Sequence, residues 1–276
     1  MTIRALFAVP LALLLLPGCP GEGGELPVDD DDSAVTGDDD DSTEDITPTS
    51  PVPVTLTTSD GLELRATFQA AAGVTNGPAV VMLHEHGGTR QDFNQAWDHF
   101  QTQGISTLAF DFRGHGQSDA GTVSLQDLRT TPDQLELDVK AALDYLVQQS
   151  VVDASKVGLI GLDVGANLAV LGRHGTLDGG DDWGVAAIVA MSPDIAGIEA
   201  LGELVSTDLQ LSAIQIVAGA NNAADAADAQ ALYDGASDPK DLRLVKNTEA
   251  HGANLLIGSA DAQSGVAAWF AGVFAE

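Results

Sequence analysis

The feature that most constrains this chain is the stretch Val157-Gly158-Leu159-Ile160-Gly161-Leu162-Asp163-Val164-Gly165-Ala166-Asn167. An apolar run ends in Gly-x-Asp-x-Gly and passes at once into a helix-like run over residues 166–173. That order demands a buried strand, a sharp turn and a helix in immediate succession, with Asp163 lifted above the sheet edge at the turn. Gly161 and Gly165 suit it because a strained turn leaves no room for Cβ atoms beside the central residue.

The rest of the chain repeats the strand-then-helix theme. Strand-like runs at 52–58 and 62–70 flank Ser59-Asp60-Gly61, which reads as a hairpin turn. Short apolar strands follow at 79–83, 105–110, 185–191, 214–218 and 242–245. Helical spacing marks 92–103, with Phe93, Ala96, Trp97 and Phe100 on one face and Gly104 as its stop. It also marks 132–149, 223–233 and 265–274. The expected fold class is α/β: a doubly wound, mostly parallel sheet with helices on both faces. Chemistry in such sheets gathers at the carboxyl ends of the strands. His84, Glu85, His86, Asp111, His115, Asp163, Asn222 and His251 all fall at or just beyond those ends.

The amino-terminal end is of another kind. Arg4, an apolar run over 5–16 and then Pro17-Gly18-Cys19 read as a signal peptide over 1–18, since twelve apolar residues are too few to cross a bilayer of ~30 Å as a helix. Leu16-Pro17-Gly18-Cys19 resembles a bacterial lipobox, which implies a lipidated Cys19 as the membrane anchor and a place in the bacterial cell envelope, facing the periplasm or the outside. Cys19 is the only cysteine, so no intramolecular disulfide can form. Residues 19–50 carry two runs of four Asp and almost nothing to bury, which reads as a disordered, self-repelling tether. The folded domain is expected over 51–276. A formal charge of −30 argues against nucleic acid as a partner.

Four motifs together resemble the α/β-hydrolase superfamily, and more narrowly its dienelactone-hydrolase-like esterases. They are His84-Glu85-His86-Gly87-Gly88, the segment Asp111 to Gly116, the elbow from Gly161 to Asn167, and His251-Gly252. The resemblance runs from about residue 79 to the carboxyl terminus. It implies a nucleophile at the elbow, a His base and an acid that orients the base. It also implies an oxyanion hole of two backbone N–H groups, here those of His86 and Val164, and a pocket bordered by His84, Glu85 and Gly87. His251 matches the base. Asp163 stands where Ser or Cys is usual, and Asn222 where the acid often lies, with Asp225 or Asp228 able to replace it if the loop folds back. No cofactor is implied, and the His and carboxylate residues read as a hydrogen-bonded cluster rather than a metal site.

An Asp nucleophile on this fold also resembles that of haloalkane dehalogenases and epoxide hydrolases. The roughly twenty residues between Pro193 and Ser212 are, however, too few for the full lid those reactions use. The expectation is therefore an exported, membrane-tethered protein of the esterase-like class that takes a small ester-like substrate. A non-catalytic pseudo-hydrolase used for binding or envelope interaction is the alternative, and dehalogenase or epoxide-hydrolase chemistry through Asp163 stands third.

Overall fold

The computed structural model describes residues 49–122, 132–175, 183–202 and 209–276. Cys19, the expected signal peptide and the Asp-rich segment lie outside the described residues. Eight strands form one sheet: β1 Val52–Thr57, β2 Glu63–Gln69, β3 Gly77–Leu83, β4 Ser106–Phe110, β5 Val152–Leu162, β6 Val185–Met191, β7 Ile214–Gly219 and β8 Lys240–Val245. Their order is β1-β2-β4-β3-β5-β6-β7-β8. The pairs β1–β2 and β2–β4 are antiparallel, and every later pair is parallel.

The strands read as apolar runs because both faces are covered. Along β3, Ala79, Val81 and Leu83 enter one buried cluster, while Val80 and Met82 enter the other. The first cluster is closed by α2 Pro132–Val147, α3 Val164–His174, α4 Ile195–Gly202 and α5 Ala223–Gly235. The second is closed by α1 Trp97–Thr102, α6 Gly252–Ile257 and α7 Ala260–Phe274. The strand period of two thus distributes one run of residues between two cores. Gly158 shows how closely they are filled, since a Cβ there would lie 2.5 Å from the ring of Phe270 on α7.

Several boundaries differ from the sequence reading. The helix expected over 92–103 is two pieces: a 3₁₀ turn, Arg90–Phe93, and α1. A capping box explains the first piece, with the Thr89 side chain and Asp92 satisfying each other's backbone N–H groups. α7 starts at Ala260 rather than 265, because the Ser259 side chain accepts from the Ala262 N–H and caps it there. α4 and α6 were not anticipated. Each is short, eight and six residues, and such lengths form through tertiary packing rather than propensity. α4 occupies part of the segment between Pro193 and Ser212; residues 203–208 of it lie outside the described residues.

Candidate active site

Asp163 closes the turn between β5 and α3 at φ +51° and ψ −115°, a backbone region that L residues seldom occupy. The two glycines make it accessible. A Cβ on Gly161 would sit 2.0 Å from the Gly165 carbonyl oxygen, and one on Gly165 would sit 2.2 Å from the Leu83 carbonyl oxygen at the end of β3. The Asp163 N–H donates to the Met191 carbonyl at 3.1 Å, which ties the elbow to the end of β6. Val164 is the first residue of α3, so its N–H has no acceptor within the helix.

His251 lies between two carboxylates. Its Nδ1 is 2.7 Å from Asp225 Oδ2, and its Nε2 is 3.5 Å from Asp163 Oδ1. The imidazole pKa is pushed up to about 9: Asp163 raises it most, partial burial works against the rise, and Asp225 adds to it. By distance the firmer hold on the ring is Asp225, because 3.5 Å is the outer limit of a hydrogen bond. The resting group is an imidazolium bridging two carboxylates.

Asn222 does not reach His251. It is the N-cap of α5, and its Oδ1 accepts from the Asp225 N–H at 3.4 Å. The acid sits one helical turn later because the helix begins at once after Asn222 and brings Asp225 round in its first turn. The spacing Asn222-x-x-Asp225, an N-cap residue with an acid at N3, is the sequence signal that points to this arrangement. Asp228 is also engaged elsewhere, accepting from the Ile195 N–H at 3.3 Å.

The loop after β3 supplies the facing wall. The Gly88 N–H donates to the Glu85 carbonyl at 3.0 Å, and Gly87 takes φ +81°, as the third position of a type II turn requires. Glu85 is half-buried, and its Oε2 accepts from the Ala253 N–H at 2.8 Å, just beyond His251. Burial pushes its carboxyl up, the Ala253 contact lowers it, and Asp92 and Asp163 raise it further. His84 is a correction to the expected pocket lining. It is wholly buried, its Nδ1–H donates to the Glu85 carbonyl at 2.7 Å, and its Nε2 accepts from the Phe112 N–H at 3.0 Å. Burial depresses its pKa to about 4, so it is a neutral strut between two loops. His86 stands edge-on to His115, with ring centroids 5.6 Å apart.

The segment from Asp111 to Ser118 is structural. Buried Asp111 accepts from the Arg90 N–H at 2.8 Å and the Gln117 N–H at 3.0 Å, and it pairs with the Arg90 guanidinium. Arg113 is buried against Asp138 at 2.7 Å and Asp60 at 2.9 Å. Tyr145 and Tyr233 are likewise occupied away from the elbow, the first against Phe68 and the second beneath Lys240.

Residues 80–272 match the model of the Alpha/beta hydrolase family. A thiohydrolase of Aspergillus aculeatus is 32% identical over 114 residues, which is 41% of this chain and 34% of that protein. The multifunctional-autoprocessing repeats-in-toxin of Vibrio vulnificus is 29% identical over 116 residues, 41% of this chain and 2% of that protein. The matched stretch thus spans about a third or less of these relatives' own lengths. Among solved structures, the esterase Pf2001 of Pyrococcus furiosus superposes with a TM-score of 0.61 at 20% identity, covering 80% of this chain and 91% of that one. A dienelactone hydrolase from Anabaena variabilis gives 0.58 at 16% identity, covering 83% and 97%. At these identities the likeness is one of fold, and activity has to be argued from the site.

Proposed function

The chain belongs to the alpha/beta hydrolase family, and from that premise we propose that it hydrolyses small ester-like substrates through Asp163, His251 and Asp225. The observation that carries this reading is the short contact between Asp225 and His251, which gives the imidazole an orienting acid although Asn222 fails to supply one. In the same reading Cys19 carries a lipid anchor that holds the exported protein at the cell envelope.

The charge state of the site sets the order of events. Asp163 attacks the acyl carbon as a carboxylate, and the oxyanion that forms is held by the N–H groups of His86 and Val164. As the acyl–oxygen bond breaks, the His251 imidazolium gives its proton to the leaving oxygen, and a mixed anhydride remains on Asp163. Acylation removes the Asp163 charge and weakens the hydrogen bond to Asp163, which is the largest cause of the raised His251 pKa. His251, now neutral, takes a proton from water as that water cleaves the anhydride. A carboxylate is a weak nucleophile that alkoxide expels readily, so aryl, enol and other activated esters are the substrates this site suits.

Borohydride added during turnover tests the covalent step, because it reduces an acyl-Asp163 to homoserine. Mass spectrometry is expected to find homoserine at position 163 only when ester is present. Ester hydrolysis with position 163 unaltered would mean that Asp163 activates water instead.

The raised His251 pKa gives a second expected result. The imidazolium is the acid of the first step, so kcat/KM for an unsubstituted phenyl ester, an activated substrate whose leaving oxygen still takes the proton, falls as pH rises through about 9. The same group contributes stability that is fully present below its ordinary value near 6.5 and is lost as pH rises through about 9. Thermal unfolding of the native protein beside His251→Gln, from neutral to alkaline pH, checks the second statement: the gap between them is expected to narrow above that value.

One observation favours the non-catalytic reading. An imidazolium clamped between two carboxylates is an ion-pair network that needs no turnover to persist. Failure of the native protein on every activated ester, with a small ester or acid still bound, would select that reading.

A further inference from the structure

Consecutive residues at the end of β6 reach both working groups of the site. The Met191 carbonyl accepts from the Asp163 N–H at 3.1 Å, and the next residue, Ser192, places its Oγ 3.0 Å from the Gly252 N–H, directly after His251. Ser192 is wholly buried, stands at φ +51°, and donates its own N–H to the Val217 carbonyl of β7 at 2.8 Å. It is therefore anchored to the sheet on one side and grips the His251 loop on the other.

This grip answers a need of α6. His251 is the N-cap of that helix, yet its side chain makes no capping bond. The N–H groups of Gly252 and Ala253 are accepted instead by Ser192 and Glu85. With those groups satisfied from outside the helix, the imidazole is left to bridge Asp163 and Asp225.

We propose that Ser192 is a positioning residue for His251, its hydroxyl oxygen fixing the loop that sets the distance from the imidazole to Asp163. The kinetic part of this inference rests on the hydrolase reading given above; the part concerning the imidazole does not. The nucleophile and His251 come from loops far apart in sequence, and cross-links between strand ends help to hold them in register. Without the hydroxyl, the Gly252 N–H is buried without an acceptor and the loop shifts to satisfy it. A displacement of about 1 Å in such a site costs on the order of 10²-fold in rate.

Ser192→Gly is the informative variant, with Ser192→Ala beside it. Glycine accepts positive φ without strain, so it removes the hydroxyl while easing the backbone. Both variants are expected to lower kcat on an activated aryl ester by about 10- to 100-fold, with KM changed by less than about twofold. The His251 ring signals, followed by NMR, are expected to titrate at lower pH than in the native protein. A Ser192→Gly protein with native kcat and native His251 titration would overturn the proposal. So would one that loses activity and thermal stability together while His251 titrates as before, since that is a folding defect. If the native protein hydrolyses no ester, the proposed function fails, and the His251 titration in Ser192→Gly still decides the role of Ser192.

Discussion

In Asp163→Asn, ester hydrolysis is expected to fall by about 10³-fold or more, because the variant keeps the shape of the elbow and removes only its nucleophilic charge. His251→Gln is expected to fail differently. A p-nitrophenyl ester needs no proton on its leaving group, so Asp163 can still be acylated, but no base remains to drive water onto the anhydride. Stopped-flow absorbance should then show a burst near one equivalent of p-nitrophenolate per protein and a slow drain afterwards. Asp163→Ser completes the series. The serine side chain carries no charge to hold His251 protonated, and Asp225 still orients the ring, so the variant is expected to hydrolyse alkyl esters that the native protein leaves alone. Equal burst and steady rates in His251→Gln would show that His251 takes no part in deacylation, and an inert Asp163→Ser would show that Asp225 does not serve a neutral imidazole.

The second large effect concerns stability rather than chemistry. Arg113 and Asp138 are 1% and 0% exposed, and the guanidinium also bonds Asp60 and Gln134. Arg113→Met fills much of the same volume and leaves Asp138 buried without its counter-charge, which is expected to cost about 3–5 kcal/mol in urea unfolding at neutral pH. Burial already pushes the Asp138 carboxyl up to about 6 against the pull of Arg113. In the variant it is raised further, so the penalty belongs to the ionised form and shrinks as pH falls and the carboxyl is neutralised. A cost that stays constant from about pH 8 to about pH 5 would mean that Asp138 finds another partner once Arg113 is gone. Replacing both, as Arg113→Met with Asp138→Leu, is expected to recover much of the loss.

The elbow was legible because its demands are steric and local. Gly161 and Gly165 are spaced for a backbone that touches itself and the end of β3, where a Cβ on either would collide with backbone. Strands β3 to β7 were legible for a related reason, since burial on both faces leaves an uninterrupted apolar run. The acid was harder to place. Counting from Gly219 lands on Asn222, and only the onset of α5 moves the carboxylate to Asp225. Ser192 was hidden altogether. Its role depends on the Gly252 N–H arriving from sixty residues further along, and a single serine after a buried strand carries no mark of that.

β1 enters the sheet at Val52 opposite Phe68, which itself lies beside Leu108 inside β4. β1 leaves at Thr57 beside Glu63, past the level of Phe110 where β4 ends. Thr49, just ahead of β1, has its carbonyl held by the Gln69 side chain at 2.6 Å, and from there β1 runs in the same direction as the parallel strands, toward the level at which β5 delivers Asp163.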